Sequence, residues 1–117
     1  MVVIVTRSIS GSTAVVDLVG EHDLASVDVL RRELERTLTC SLVVLDLEST
    51  TFLDSSAIGV LLGATRRIRE HGGRVQAVRA HGIAERALRL VGVAEALGLD
   101  EPALPRQAYL QDDAITA

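Results

Sequence analysis

The sequence contains very few aromatic residues and no lysine. Its 117 residues include one Phe, one Tyr and no Trp, and all twelve basic residues are Arg. Proteins that bind nucleic acid use aromatic side chains for base stacking and clustered positive charge for the phosphate backbone. Because the arginines are scattered and the net charge is -4, the composition argues against a nucleic-acid partner.

Patterns typical of catalytic and metal sites are also missing from the sequence. Cys40 is the single cysteine, so the chain can form neither an internal disulfide nor a cysteine cluster for a metal. His22, His71 and His81 are widely separated, and no His-x-x-x-His pair or Gly-x-Ser-x-Gly sequence occurs. The sequence therefore predicts no enzyme activity, no metal site and no cofactor.

The sequence has no long hydrophobic run. No stretch approaches the roughly 18 apolar residues of a membrane span. The short apolar run at residues 2–5 lacks the charged start and the cleavage site of a secretion signal. We expect a cytoplasmic protein without direct membrane insertion.

Aliphatic residues, by contrast, are abundant. With 48% hydrophobic residues, the chain can build one core from Leu, Val, Ile and Ala. β-Branched runs at residues 2–6 and 13–19 predict an antiparallel hairpin. The elements predicted after it are a helix with Leu24, Val27, Leu30, Leu34 and Leu38 on one face and Asp23 or Ser26 as its cap, a strand at 42–47, a helix at 55–71, a strand at 74–79, and a helix with Ala84, Ala87, Leu88 and Val91 on one face.

This order of elements predicts an α/β fold with a mixed β-sheet of about four to five strands and helices packed mainly on one face. We assign residues 1–99 to this single domain. Residues 100–117 are predicted to form a C-terminal segment with short elements or a mobile tail, because Pro102 and Pro105 interrupt regular structure there.

Most of the functional information lies between Asp46 and Gly59. After the apolar strand, the sequence predicts a short loop, and Asp54, Ser55 and Ser56 then begin a helix. Two interpretations of this helix start are open. The residues could simply cap the helix, because Asp and Ser are favoured at that position. The free amides and the positive dipole end could also hold a phosphate group, which makes an exposed serine a candidate modification site.

The helix that begins at Ser55 has a second face of small residues. Opposite a buried stripe of Ile58, Leu61, Leu62, Thr65 and Ile68, it carries Ser56, Gly59, Val60, Gly63 and Arg67. A helical glycine costs roughly 1 kcal/mol relative to Ala, so the close approach of another surface is the expected reason for two of them. That surface could belong to loops of this protein or to a partner, with an exposed Val60 at its centre and Ser55 at its edge.

Four segments resemble the STAS domain family, whose best-known members are bacterial anti-sigma factor antagonists. They are Gly-Glu-His-Asp at 20–23, Leu-Asp-Leu through Phe-Leu-Asp-Ser-Ser at 45–56, Gly-Val-Leu-Leu at 59–62, and Gly-Gly at 72–73 with Leu-Val-Gly-Val at 90–93. The resemblance implies that Ser55 is phosphorylated by a partner kinase, with Ser56 as its rival. It also implies a partner-binding surface that comprises Asp23, Asp54, Ser56, Gly59, Val60 and Gly63.

The function implied by the resemblance is that of an anti-sigma factor antagonist. When unphosphorylated, such a protein binds an anti-sigma factor that is a serine kinase of the GHKL ATPase type. Phosphorylation releases it, and a serine phosphatase resets the switch. STAS-like subunits also occur in membrane transport complexes, including lipid transporters, and a small-ligand sensor module is a third alternative.

Two positions depart from the family pattern. Ala57 stands where the family usually has glycine, and its methyl group is expected beside the site, where it narrows the choice of partner. His22 stands where the family usually has an apolar residue. We expect His22 to be an exposed loop residue, and a local pH-sensitive contact is the alternative.

Overall fold

The strands and helices follow one another in the predicted order, with one strand added. The computed structural model describes residues 2–10 and 12–102. The elements are β1 (Val2–Ser10), β2 (Thr13–His22), a 3₁₀ turn (Leu24–Ser26), α1 (Val27–Glu35), β3 (Leu42–Asp46), β4 (Thr50–Leu53), α2 (Ser55–Glu70), β5 (Arg74–Val78) and α3 (Gly82–Val91). Most of the predicted C-terminal segment, residues 103–117, lies outside the described residues, so that assignment stays a prediction.

The five strands form one mixed sheet. Its order is β1-β2-β3-β5, and β4 also pairs with β2. β1 is antiparallel to β2, which confirms the predicted hairpin, and the other three strands run parallel to their partners. β3 pairs with the first half of β2, and β4 pairs with its last three residues. The two strands β3 and β4 therefore lie one after the other along the same edge of β2.

β4 corrects the prediction of a loop between Asp46 and Asp54. Its four residues are buried only at the two ends, so they lack the alternation from which a strand is predicted. The strand is instead held by tertiary contacts, since the buried hydroxyl of Thr50 donates to the carbonyl of Leu18 at 2.6 Å. The pairing brings the amide of Asp54 to 3.1 Å from the carbonyl of His22. β4 thus places the start of α2 beside the end of β2.

The helices pack on one face of the sheet, as predicted. The main core contains aliphatic residues from strands β2 to β5 and from all three helices. The other face carries a smaller cluster of Val15, Val44 and Val78, to which no helix of the described residues contributes. One side of α1 and one side of α2 are therefore buried against the sheet.

The end of α2 agrees with the prediction to within one residue, and a glycine follows both α2 and α3. Gly72 follows α2 with φ +87°, and Gly92 caps α3 with φ +82°, a left-handed conformation that glycine adopts without a steric cost. α1 starts at Val27 with Ser26, one of the two predicted caps, as its N-cap, so Leu24 lies in the preceding 3₁₀ turn and not on the helix. Within residues 2–10 and 12–102, no helix is both long enough and apolar enough to cross a membrane.

Candidate functional site

Asp54 caps the start of α2. Its carboxylate oxygen Oδ1 accepts a hydrogen bond from the amide of Ala57 at 3.0 Å, which confirms the capping interpretation for this residue. Ser55 is the first residue of the helix and is exposed, whereas Ser56 is half-buried. Capping and modification are compatible at this site, because Asp54 supplies the cap and the Ser55 side chain is left accessible.

A second acidic residue lies at the same end of the domain. Asp23 caps the 3₁₀ turn, since its Oδ1 accepts the amide of Ala25 at 3.0 Å. The hydroxyl of Ser26 accepts the amide of Asp23 and donates to its carbonyl, both at 3.1 Å. The other carboxylate oxygen of Asp54, Oδ2, accepts the amide of Leu24 at 3.1 Å. Two acidic residues that are far apart in the sequence therefore lie at adjacent helical starts.

An open groove of about 410 Å³ runs between α1 and α2. It is lined on the α1 side by Leu24, Val27, Arg31, Leu34, Glu35 and Leu38, and on the α2 side by Ser55, Ser56, Gly59, Val60, Gly63, Ala64 and Arg67. Every α2 residue that the sequence assigned to the partner surface lines this groove. Ser55 lies at the end where both helices begin.

The two ends of the groove differ in charge. The bond between Asp54 and Leu24 joins the beginnings of the two helical segments, and farther along them Arg67 Nη2 lies 3.7 Å from Glu35 Oε1. α1 and α2 therefore run in the same direction. Asp23 and Asp54 flank the end with the Ser55 hydroxyl, which is therefore acidic, whereas at the far end the charge of Arg67 is paired with that of Glu35.

Gly59 and Gly63 leave the groove open. A Cβ added at either position would meet no atom of the described residues within 4 Å. Close packing against loops of the described chain is therefore not the reason for these glycines. Val60 is half-buried rather than exposed, because its side chain also packs against the main core.

The α1 wall of the groove is the part of the site that the sequence did not predict. Leu24 was assigned to a buried helix face, yet it is 70% exposed at the groove. The 3₁₀ turn is the reason, because its tighter winding rotates Leu24 away from the stripe of Leu30 and Leu34. Asp23 and Ser26 were the available signal, because both are favoured N-cap residues and two of them three positions apart are compatible with a separate turn before the helix.

Both expectations about the departures from the family pattern are wrong. Ala57 is fully buried in the main core and does not line the groove, so its methyl group cannot select a partner by contact. His22 is the last residue of β2 and is also fully buried. The loop interpretation of His22 fails because β2 continues through this polar segment to pair with β4, where His22 is opposite Leu53.

His22 is a buried base, and neither ring nitrogen makes a hydrogen bond of good geometry among the described residues, although the Val19 backbone lies close enough to interact with the ring. Burial lowers the pKa of His22, against smaller opposing effects of the Val19 backbone and the Asp23 charge. The folded chain therefore keeps this ring neutral at pH values where the unfolded chain protonates it. Acid is expected to favour unfolding through this residue.

Lowering the pH below about 6.5, the ordinary pKa of histidine, is expected to reduce the free energy of unfolding. The loss grows until the pH passes the lower pKa of the folded state, below which both states are protonated. His22→Leu removes the unsatisfied nitrogens and should raise the free energy of unfolding by about 1 kcal/mol or more at neutral pH. The difference between variant and wild type should widen as the pH falls.

Denaturant unfolding of both proteins between neutral and acidic pH measures this difference. His71→Gln, at an exposed position, is the control and should keep the acid-dependent loss of the wild type. A difference between wild type and His22→Leu that stays constant with pH would contradict the assignment to His22.

Comparison with known proteins identifies relatives of this chain. The family model of the STAS domain matches residues 4–102. An anti-sigma F factor antagonist from Paenibacillus polymyxa is 34% identical over 64 residues, which make up 52% of this chain and 55% of that protein. A second one, from Lysinibacillus sphaericus, is 30% identical over 69 residues, which make up 56% of this chain and 59% of that protein. The match thus spans about half the length of the curated relatives.

Solved structures show the same fold over nearly the whole chain. An anti-sigma factor antagonist from Mycobacterium paratuberculosis superposes with a TM-score of 0.76 at 21% identity, covering 99% of this chain and 92% of that one. The antagonist SpoIIAA in its unphosphorylated form gives 0.69 at 20% identity, with coverage of 97% and 96%. The Bacillus SpoIIAA in its phosphorylated form gives 0.69 at 19% identity, with 97% of each chain covered. At these identities the superpositions establish the fold alone.

Proposed function

Because this chain belongs to the STAS domain family, we propose that it is an anti-sigma factor antagonist whose docking surface is the groove between α1 and α2. When Ser55 is unphosphorylated, the groove binds an anti-sigma factor that is also a serine kinase. Phosphorylation of Ser55 by that partner releases it, and a serine phosphatase restores binding. The observation that carries this proposal is the exposed Ser55 hydroxyl at the end of an open groove lined by Gly59 and Gly63.

The relatives support a partner of this kind. The curated relatives are named as antagonists of the anti-sigma F factor, and SpoIIAA is known in unphosphorylated and phosphorylated forms. We propose the cytoplasm as the location, because both proposed enzymes would act there. ATP would be bound by the kinase, and the chain itself would be a regulator without enzyme activity.

The groove has the chemical character of a switchable interface. Its middle is apolar, with the half-buried Val27 and Val60 among its lining residues, and such surface contributes affinity when it is removed from water. Its acidic end contains the proposed phosphorylation site beside Asp54. A phosphate there places charge at the edge of an apolar contact, where repulsion and desolvation oppose binding.

Ser55 is favoured over Ser56 as the acceptor because it is more accessible. Both side chains line the groove, but Ser55 is exposed and Ser56 is half-buried. A kinase must bring its bound ATP within reach of the serine oxygen, which requires an accessible hydroxyl.

Phosphate is therefore expected on Ser55 when the chain is incubated with ATP and the anti-sigma factor that co-purifies with it. Phosphopeptide mapping by mass spectrometry locates the modification. Ser55→Ala should abolish incorporation, and Ser56→Ala, the matched control, should retain it. Modification of Ser56 alone would reject the assignment of Ser55. Co-purification of a transporter subunit in place of a kinase would favour a role in a membrane transport complex.

A further inference from the structure

Asp54 connects three segments of the chain. Oδ1 accepts the amide of Ala57 at 3.0 Å, and Oδ2 accepts the amide of Leu24 at 3.1 Å. Its own amide donates to the carbonyl of His22 at 3.1 Å. One carboxylate thus bonds the first turn of α2 and the 3₁₀ turn that precedes α1, and these are the two elements that flank the acidic end of the groove.

The 3₁₀ turn is joined to the start of α2 by this bond and, through His22 just before Asp23, by the backbone bond from the Asp54 amide. The hydrogen bonds of Asp23 with Ala25 and Ser26 close the turn on itself, so they do not fix where the turn lies. Leu24 is 70% exposed, so burial of its side chain does little to hold it. The bond from the Leu24 amide to Asp54 is the side-chain contact among the described residues that ties this rim of the groove to α2, in addition to the backbone bond between Asp54 and His22.

We infer that Asp54 is a positioning residue of the groove, which holds Leu24 at its rim and so sets the width of the surface beside Ser55. The inference rests on the proposed function for its consequence in binding, but the contact itself is a property of the free chain. This role goes beyond capping, because Oδ1 of Asp54 accepts the capping bond from Ala57 and Oδ2 accepts the bond from Leu24.

Asp54→Asn separates these two roles. Asn has one oxygen acceptor, and its amide nitrogen is a donor that cannot accept a second N–H. Asn is about as good an N-cap as Asp, so we expect the remaining oxygen to keep the bond with Ala57. The amide of Leu24 would then lose its partner while α2 stays capped.

NMR of the full chain without any partner tests the contact. In Asp54→Asn the Leu24 amide should exchange with solvent about tenfold faster than in the wild type, and the Ala57 amide should keep its wild-type exchange rate. Asp100→Asn is the charge-matched control, because Asp100 pairs with Arg89 of α3 and does not line the groove. A Leu24 amide that exchanges at the wild-type rate in Asp54→Asn overturns the inference.

The consequence for binding is measured with the purified anti-sigma factor that binds the wild-type chain. Asp54→Asn should lower the affinity for the anti-sigma factor by about tenfold, which is the factor expected for the loss of one hydrogen bond to a carboxylate. Asp100→Asn should leave the affinity unchanged. Wild-type affinity in an Asp54→Asn protein whose Leu24 amide is deprotected would overturn the positioning role. If no anti-sigma factor binds the wild type, the proposed function fails, and the NMR result still decides whether Asp54 holds the rim.

Discussion

Phosphorylation of Ser55 is expected to weaken binding of the anti-sigma factor by more than about a hundredfold. A phosphoserine adds about -1.5 to -2 charges near neutral pH, at the end of the groove that is flanked by the carboxylates of Asp23 and Asp54. The amide of Ala57 is bonded to Asp54, so this donor of the helix start is not available to the phosphate. Repulsion and desolvation that together cost about 3 kcal/mol are enough for a loss of this size.

Calorimetric titration of the anti-sigma factor with four forms of the chain measures the effect. The forms are wild type, stoichiometrically Ser55-phosphorylated protein, Ser55→Ala and Ser55→Glu. Ser55→Ala should bind like the wild type, because it adds no charge. Ser55→Glu should weaken binding less than phosphate does, because it carries one charge and two oxygens. Equal affinity of the phosphorylated and unphosphorylated chains would reject a charge-controlled switch, whatever the Glu variant does.

The elements that could be predicted from the sequence are those with a strong local pattern. α2 has apolar residues at helical spacing and a glycine after its last turn, so its bounds agree with the prediction to within one residue. The hairpin and the face of the sheet that the helices cover follow in the same way from β-branched runs and apolar stripes. The small-residue side of α2 was also predictable, because Gly59 and Gly63 fall opposite the buried stripe.

The parts that were missed depend on contacts between segments distant in the sequence. β4 has no alternating pattern and is a strand because β2 lies beside it. His22 lies in a polar segment that is typical of a loop, and its burial follows from the same pairing. The bond between Asp54 and Leu24 joins residues 30 positions apart, so no local sequence pattern predicts it. The groove as a whole could therefore be recognised only in the structure, although most of its lining residues on α2 were predicted from the sequence.

Gly63→Arg is expected to abolish binding of the anti-sigma factor while the domain stays folded. Gly63 lines the groove one turn from Gly59, and a Cβ placed there meets no described atom within 4 Å, so the first atoms of the new side chain cause no clash. Replacing a helical glycine gains up to about 1 kcal/mol of helix propensity. The remainder of the arginine side chain would fill the groove and add charge to its apolar middle, which excludes a docked surface.

Thermal unfolding and partner affinity are measured on the same preparations of wild type, Gly63→Arg and two controls. Gly63→Ala adds only a methyl group, so it should unfold a few degrees higher at most and should keep most of the affinity. Leu90→Arg adds the same charged side chain at an exposed position of α3 that does not line the groove, so it should bind like the wild type. Unfolding of Gly63→Arg would mean that this face of α2 is packed against the protein itself. A stable Gly63→Arg protein that binds as tightly as Leu90→Arg would place the partner on another surface, because an arginine in the middle of the groove is incompatible with a surface docked there.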